Sequence, residues 1–249
     1  MHPILKWFYQ LAVPHFLYPR IQAWLPWVAG LSLVTLGLGL VWGLVWAPTD
    51  YQQGDAFRII YVHVPAAWLS MMVYVAMAVM AITVLVWRVQ MAEVALIASA
   101  PIGAAFTLMA LFTGAIWGKP MWGAWWVWDA RLTSELILLF IYLGIFALYQ
   151  AIEDKRQAGK AASLMTLVGL VNIPIIHYSV IWWNTLHQPP SLSKFEAPSI
   201  HLDMLWPLLV MLLAFKLLYF WMLLLRMRTD LVARHSQAPW VQALVKAKE

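Results

Sequence analysis

Six long apolar stretches, almost free of charge, constrain this chain more than any other feature. They run at about residues 24–46, 66–87, 94–116, 132–149, 161–183 and 204–225. Roughly 20 apolar residues in a helix cross a hydrocarbon core of about 30 Å. Within lipid a segment must satisfy its own backbone polar groups, which a helix does. The pattern therefore predicts an all-α, polytopic integral membrane protein, with residues 1–249 forming a single six-span domain. Hydrophobic residues at 63% and charged residues at 11% fit that class and not a soluble core. The first stretch is long enough to span and lacks a small-residue cleavage site, so it reads as an uncleaved span rather than a signal peptide.

Lysine and arginine then orient the bundle. With a cytoplasmic N-terminus, that side holds Lys6, Arg20, Arg88, Lys155, Arg156, Lys160, Arg226, Arg228, Arg234, Lys246 and Lys248. The opposite side holds only Arg58, Lys119, Arg131 and Lys194. The bias predicts both termini inside and three loops outside, at residues 47–65, 117–131 and 184–203. The net charge of +5 reports this asymmetry and not nucleic-acid binding.

The middle outer loop reads Trp117-Gly-Lys-Pro-Met-Trp122-Gly-Ala-Trp125-Trp126-Val-Trp128-Asp129-Ala-Arg131. An interfacial aromatic belt accounts for two or three tryptophans at such a place. It gives no reason for five between residues 117 and 128, nor for Asp129 and Arg131 directly after them. If the segment is helical from Trp122, positions 122, 125, 126 and 129 share one face. That face is a shelf of indoles, apolar but able to donate hydrogen bonds. Its natural ligand is large, flat and apolar, and haem has that shape. The haem propionates call for cations, for which Arg131, Lys119 and Arg58 are the candidates on that side.

Haem iron also takes axial donors, most often imidazole. His2, His15 and His235 fall in the inner tails, and His177 falls inside the fifth span. The outer side holds His63, at the entry to the second span, His187, just past the fifth, and His201. His63 and His187 flank the tryptophan loop at the membrane surface, which favours them as ligands. His201 lies further along a Pro/Ser-rich segment. The chain has no cysteine, which excludes a CxxCH attachment within it. It also has no G-x-x-x-x-G-K-[ST] phosphate loop, and no nucleophile–base pair stands out in the outer loops. These absences point to a holding and transfer protein, not an enzyme. Two charges fall within spans: Lys216, which should face the bundle, a partner or a wet cavity, and Glu135, read as a carboxylate favoured by a helix N-terminus.

The run Trp122-Gly-Ala-Trp125-Trp126-Val-Trp128-Asp129-Ala-Arg131 resembles the WWD signature, W-G-x-x-W-x-W-D-x-R, of haem-handling membrane proteins in cytochrome c maturation. Within that superfamily the chain is similar to the CcmC family over nearly its whole length. The segments Tyr51-Gln-Gln-Gly54, Arg58 to Pro65, Trp117 to Trp122 and Asn172 to His187 carry the likeness. The resemblance implies non-covalent haem held transiently at the periplasmic surface of the bacterial inner membrane, with His63 and His187 as axial ligands. It implies delivery to the chaperone CcmE, and association with the ATPase CcmA and the membrane subunits CcmB and CcmD. The alternative is a b-type redox protein, which would retain its haem and often holds it between transmembrane histidines. The ligands expected here sit in surface loops, which suits release. Haem lyases of the superfamily are longer, with more spans.

Overall fold

The computed structural model describes residues 9–187 and 200–246. Among the described residues it is helical, with no β-strand. Helix α1 covers Pro14–Val41 and runs into a π turn at Trp42–Trp46. A 3-10 turn, Asp55–Ile59, leads into α2, Ile60–Trp87. Helix α3 is Gln90–Trp122, α4 Ala130–Ala151, α5 Lys155–Gly169 and α6 Asn172–Trp182. Helix α7, Leu202–Arg234, is followed by the short α8, Pro239–Lys246. Six helical segments are long and apolar enough to cross a membrane, α5 and α6 together forming one of them. Lys6, Lys194 and Lys248, used above for orientation, and His2 lie outside the described residues.

The helices outrun the apolar stretches because backbone hydrogen bonding continues past the first charged residue. α1 starts ten residues before Trp24, at Pro14, where a missing N–H costs nothing. α3 takes in Glu93 at one end and Lys119 at the other. The fifth stretch is broken, with residues 170 and 171 in a turn between α5 and α6. Pro174 follows the break within the first turn of α6, where proline is tolerated.

Helix α3 is the axis of the bundle: 72% of its most apolar window is buried, against 17% for α1. Its buried face is rich in small residues, among them Ala95, Ala98, Ser99, Ala100 and Ala104, which let neighbouring helices approach closely. α2 and α4 pack on it, α7 closes one side, and α1 leans on α7 at the periphery. Buried aromatic residues tie the layers. Tyr74 and Tyr142 meet edge to face at 5.2 Å between ring centres, and Phe106 of α3 lies 5.7 Å from Phe215 of α7.

Candidate functional site

The loop carrying Gln52 and Gln53, the start of α2, the end of α3, the start of α4 and the chain after α6 meet at one end of the bundle. They enclose a half-open cavity with about 1090 Å³ of empty space, mouth included. Gln52 and Gln53 form part of its rim and Trp117, Met121 and Trp122 part of its wall. Leu186 and His187 close one side, and His63, Arg131 and Glu135 also face it.

His63 is not in the surface loop expected from the sequence: the helix starts at Ile60, ahead of the apolar stretch, so His63 sits in the first turn of α2 and is buried. Its Nδ1 lies 3.1 Å from Oγ1 of Thr113 on α3. The hydroxyl of Thr113 is itself donated to the Met109 carbonyl at 2.6 Å. A hydroxyl has one hydrogen and two lone pairs, so toward His63 it acts as acceptor. Nδ1 then carries the proton, and Nε2 keeps a lone pair for a metal. Gly114 makes room for the ring: a Cβ there would stand 3.0 Å from His63 Cε1.

His187 reaches the same cavity from the opposite wall. A turn after α6 presents it, with the His187 backbone N–H donating to Oγ1 of Thr185 at 2.8 Å. The ring centres of His63 and His187 are 6.3 Å apart. With metal–nitrogen bonds of roughly 2 Å and about 1 Å from nitrogen to ring centre, two imidazoles on one iron have centres about 6 Å apart. Trp117 stands edge-on to His63 at 5.6 Å, and Trp122 lies 6.3 Å from His187. Imidazole pairing and indole walls thus fit a flat macrocycle with a metal at its centre.

The tryptophan segment is not the helical shelf expected from its spacing. Gly123 takes a left-handed conformation, φ 75°, and its N–H returns to the Lys119 carbonyl, ending α3 at Trp122. Asp129 is extended and accepts from the Leu132 N–H at 2.8 Å, which makes it the N-cap of α4. Residues 123–129 between these caps are irregular. Trp117 and Trp122, still on α3, face the cavity. Trp125 and Trp128 are exposed, and Trp126 packs edge to face on Trp128 at 5.3 Å. The Trp126 indole N–H and Asp129 Oδ2 are buried without a hydrogen-bond partner among the described residues.

Of the three cations proposed for propionates, only Arg131 lines the cavity. It also donates to the Ile176 carbonyl at 2.7 Å, which holds α4 against α6. Arg58 instead pairs with Asp55 at 2.9 Å and donates to the Gly43 carbonyl. Lys119 donates to the Gly123 carbonyl at the helix end. His201 caps α7 and stands 3.5 Å from Asp203, away from the cavity lining.

The structure adds residues that the reading of the chain did not place in a site. Gln53 accepts from the Trp117 indole N–H at 2.9 Å. Thr113 holds His63. Glu135 is buried on the cavity wall and accepts from the Ser70 hydroxyl of α2 at 2.7 Å. It lies beyond the first turn of α4, where a helix dipole has largely faded, so its partner is tertiary and not the helix end. The quoted Tyr51-Gln-Gln-Gly54 run was the available signal for Gln53.

A bundle of six membrane-crossing helices, with imidazoles and indoles gathered in a cavity at one end, defines a multi-pass membrane protein with a surface pocket for a flat ligand. Residues 7–242 match the model of one family, CcmC, heme exporter protein C. The chain is 53% identical over 241 residues to heme exporter protein C of Haemophilus influenzae, covering 97% of this chain and 98% of that one. It is 52% identical over 240 residues to heme exporter protein C of Escherichia coli K12, covering 96% and 97%. A ccmC-like mitochondrial protein of cytochrome c biosynthesis from Marchantia polymorpha is 51% identical over 172 residues, covering 69% and 72%. The chain belongs to the heme exporter protein C family.

Proposed function

We propose that this protein holds haem at the periplasmic face of the bacterial inner membrane and hands it to a periplasmic chaperone for cytochrome c maturation. Haem is its cargo, held without a covalent bond between His63 and His187. The observation that carries this reading is the pair of imidazoles 6.3 Å apart on one cavity, beside Trp117 and Trp122. Arg131 is the cation available to a propionate within the cavity. The exposed indoles Trp125 and Trp128, on the segment between Trp122 and Arg131 of the cavity lining, offer an apolar surface to an incoming acceptor. The names of the relatives, heme exporter protein C, support the export role. By the family likeness, the acceptor is CcmE, and the protein works with CcmA, CcmB and CcmD. Hydrolysis of ATP then belongs to CcmA, since this chain lacks the phosphate loop.

The test is the absorption spectrum of the purified protein. Native protein should carry a bis-imidazole Soret signature, and His63→Ala with His187→Ala should abolish it. Unchanged bound haem and spectrum in the double variant overturn the ligand assignment.

A further inference from the structure

Lys216 is the one lysine or arginine in the interior of an apolar stretch. It stands twelve residues from Met204 and nine from Leu225, about 18 and 13 Å along the axis. A lysine stem reaches roughly 6 Å and cannot bring the charge to either interface. Its ammonium lies over the ring of Trp68 on α2, 4.6 Å from the ring centre. Among the described residues no carboxylate pairs with it.

The two residues sit where two lipid-facing stripes meet. On α7 the stripe includes Leu209, Leu213 and Phe220, and on α2 Met72, Val75 and Val79, all exposed. Lipid tails satisfy the apolar side chains but offer nothing to an ammonium. We propose that this seam docks a membrane-spanning helix of a partner protein, which presents a carboxylate to Lys216 level with Trp68. A second copy of this chain does not supply the acid. Glu135 is the only acidic residue inside any of its apolar stretches, and it is buried and bound to Ser70. The proposal is independent of the haem reading.

The test places the photo-crosslinker p-benzoyl-phenylalanine at position 213 of the full chain in its native membranes, with crosslinked peptides sequenced. The expected product joins position 213 to a membrane-spanning peptide that contains Asp or Glu. Its yield should fall about tenfold or more in Lys216→Met, which removes a buried charge pair, and should persist in Lys216→Arg. Lys216→Met takes a charge out of lipid and so does not threaten insertion. Adducts to lipid alone, to another copy of this chain, or at unchanged yield in Lys216→Met overturn the proposal.

A second inference rests on the assignment of His63 as an iron ligand. The geometry points to Thr113 as the positioning residue for that ligand. By accepting a hydrogen bond from Nδ1 at 3.1 Å, beside the Ala110 backbone that also bonds the ring, it orients the imidazole and favours the Nδ1–H tautomer, as outer-shell partners of metal-bound histidines do. Thr113→Val keeps the shape and deletes the hydroxyl acceptor, leaving the ring only its Ala110 backbone partner, whereas Thr113→Ser keeps the hydroxyl. In Thr113→Val the haem should dissociate about tenfold faster and its reduction potential should rise, since a less polarised imidazole donates less to iron. Thr113→Ser should restore both. If His63→Ala alters the spectrum while Thr113→Val leaves potential and dissociation native, Thr113 has no such role and the ligand assignment survives. If His63→Ala leaves the spectrum unchanged, both fall.

Discussion

The indole N–H of Trp117 donates to Oε1 of Gln53 at 2.9 Å, joining the end of α3 to the loop that precedes α2. Phe57 and His63 both stand edge-on to the same indole, at 6.1 and 5.6 Å. Trp117 is therefore the post around which the loop before α2 and the histidine-bearing turn are set. A neutral hydrogen bond contributes about 1 kcal/mol net, or roughly a fivefold change in an equilibrium. Trp117→Phe and Gln53→Leu should each weaken haem binding by about that factor, and the double variant should be no worse than either alone. Haem titration followed at the Soret band checks this. Additive losses would show that the two residues act separately.

Gly114 lets α3 pass close beneath the His63 ring. A Cβ at this position would meet His63 Cε1 at 3.0 Å, tighter than ordinary van der Waals contact. Gly114→Ala should therefore rotate the imidazole without removing it. Haem should still bind, with a changed low-spin signal in electron paramagnetic resonance and affinity reduced by about tenfold. A native signal would mean that the ring has room to retreat.

The spans were legible because apolar length and charge placement are local properties. So was the convergence of His63, His187, Trp117, Trp122 and Arg131, since each lies near an apolar-stretch end on the same side. The shelf was misread, although Gly123 and Asp129 carried the correction. A glycine just after Trp122 is a helix stop, and Asp129 three residues before Leu132 is a helix start. Reading them as caps would have broken the supposed face. Thr113 and Ser70 could not be found that way: each acts on a residue from another helix, and no spacing within a stretch encodes which helices touch.

Glu135 is expected to be held by Ser70 and to balance Arg131, one turn earlier on the cavity wall. Glu135→Gln keeps the volume and an acceptor for the Ser70 hydroxyl. Glu135→Ala leaves that hydroxyl only the Ala67 carbonyl, also at 2.7 Å, and opens a void beside the cavity. The alanine variant should lose about 1 kcal/mol of stability for the hydrogen bond and more for the void, and the glutamine variant much less. Thermal unfolding in detergent measures both. Equal loss in the two would assign the effect to charge and not to the hydrogen bond.

At the opposite end of the bundle, Arg234 of α7 joins Glu93 of α3 at 2.9 Å and the Tyr149 hydroxyl of α4 at 2.7 Å. Tyr149 in turn donates to Glu93 at 3.1 Å. Three helices thus share one charged knot far from the cavity, with Arg234 and Glu93 only 21% and 13% exposed. Removing one partner strands the other where water reaches it poorly, and breaking a fully buried pair costs about 3–5 kcal/mol. Partial exposure reduces that, so Arg234→Ala should lower stability by about 1–3 kcal/mol. Arg234→Lys keeps the charge but cannot bond both Glu93 and Tyr149 with a planar fork, so it should recover only part of the loss. Because the knot touches no residue of the cavity lining, the haem spectrum of either variant should be native below its unfolding temperature. A shifted Soret band in folded Arg234→Ala would instead reveal that the two ends of the bundle are mechanically coupled through α3.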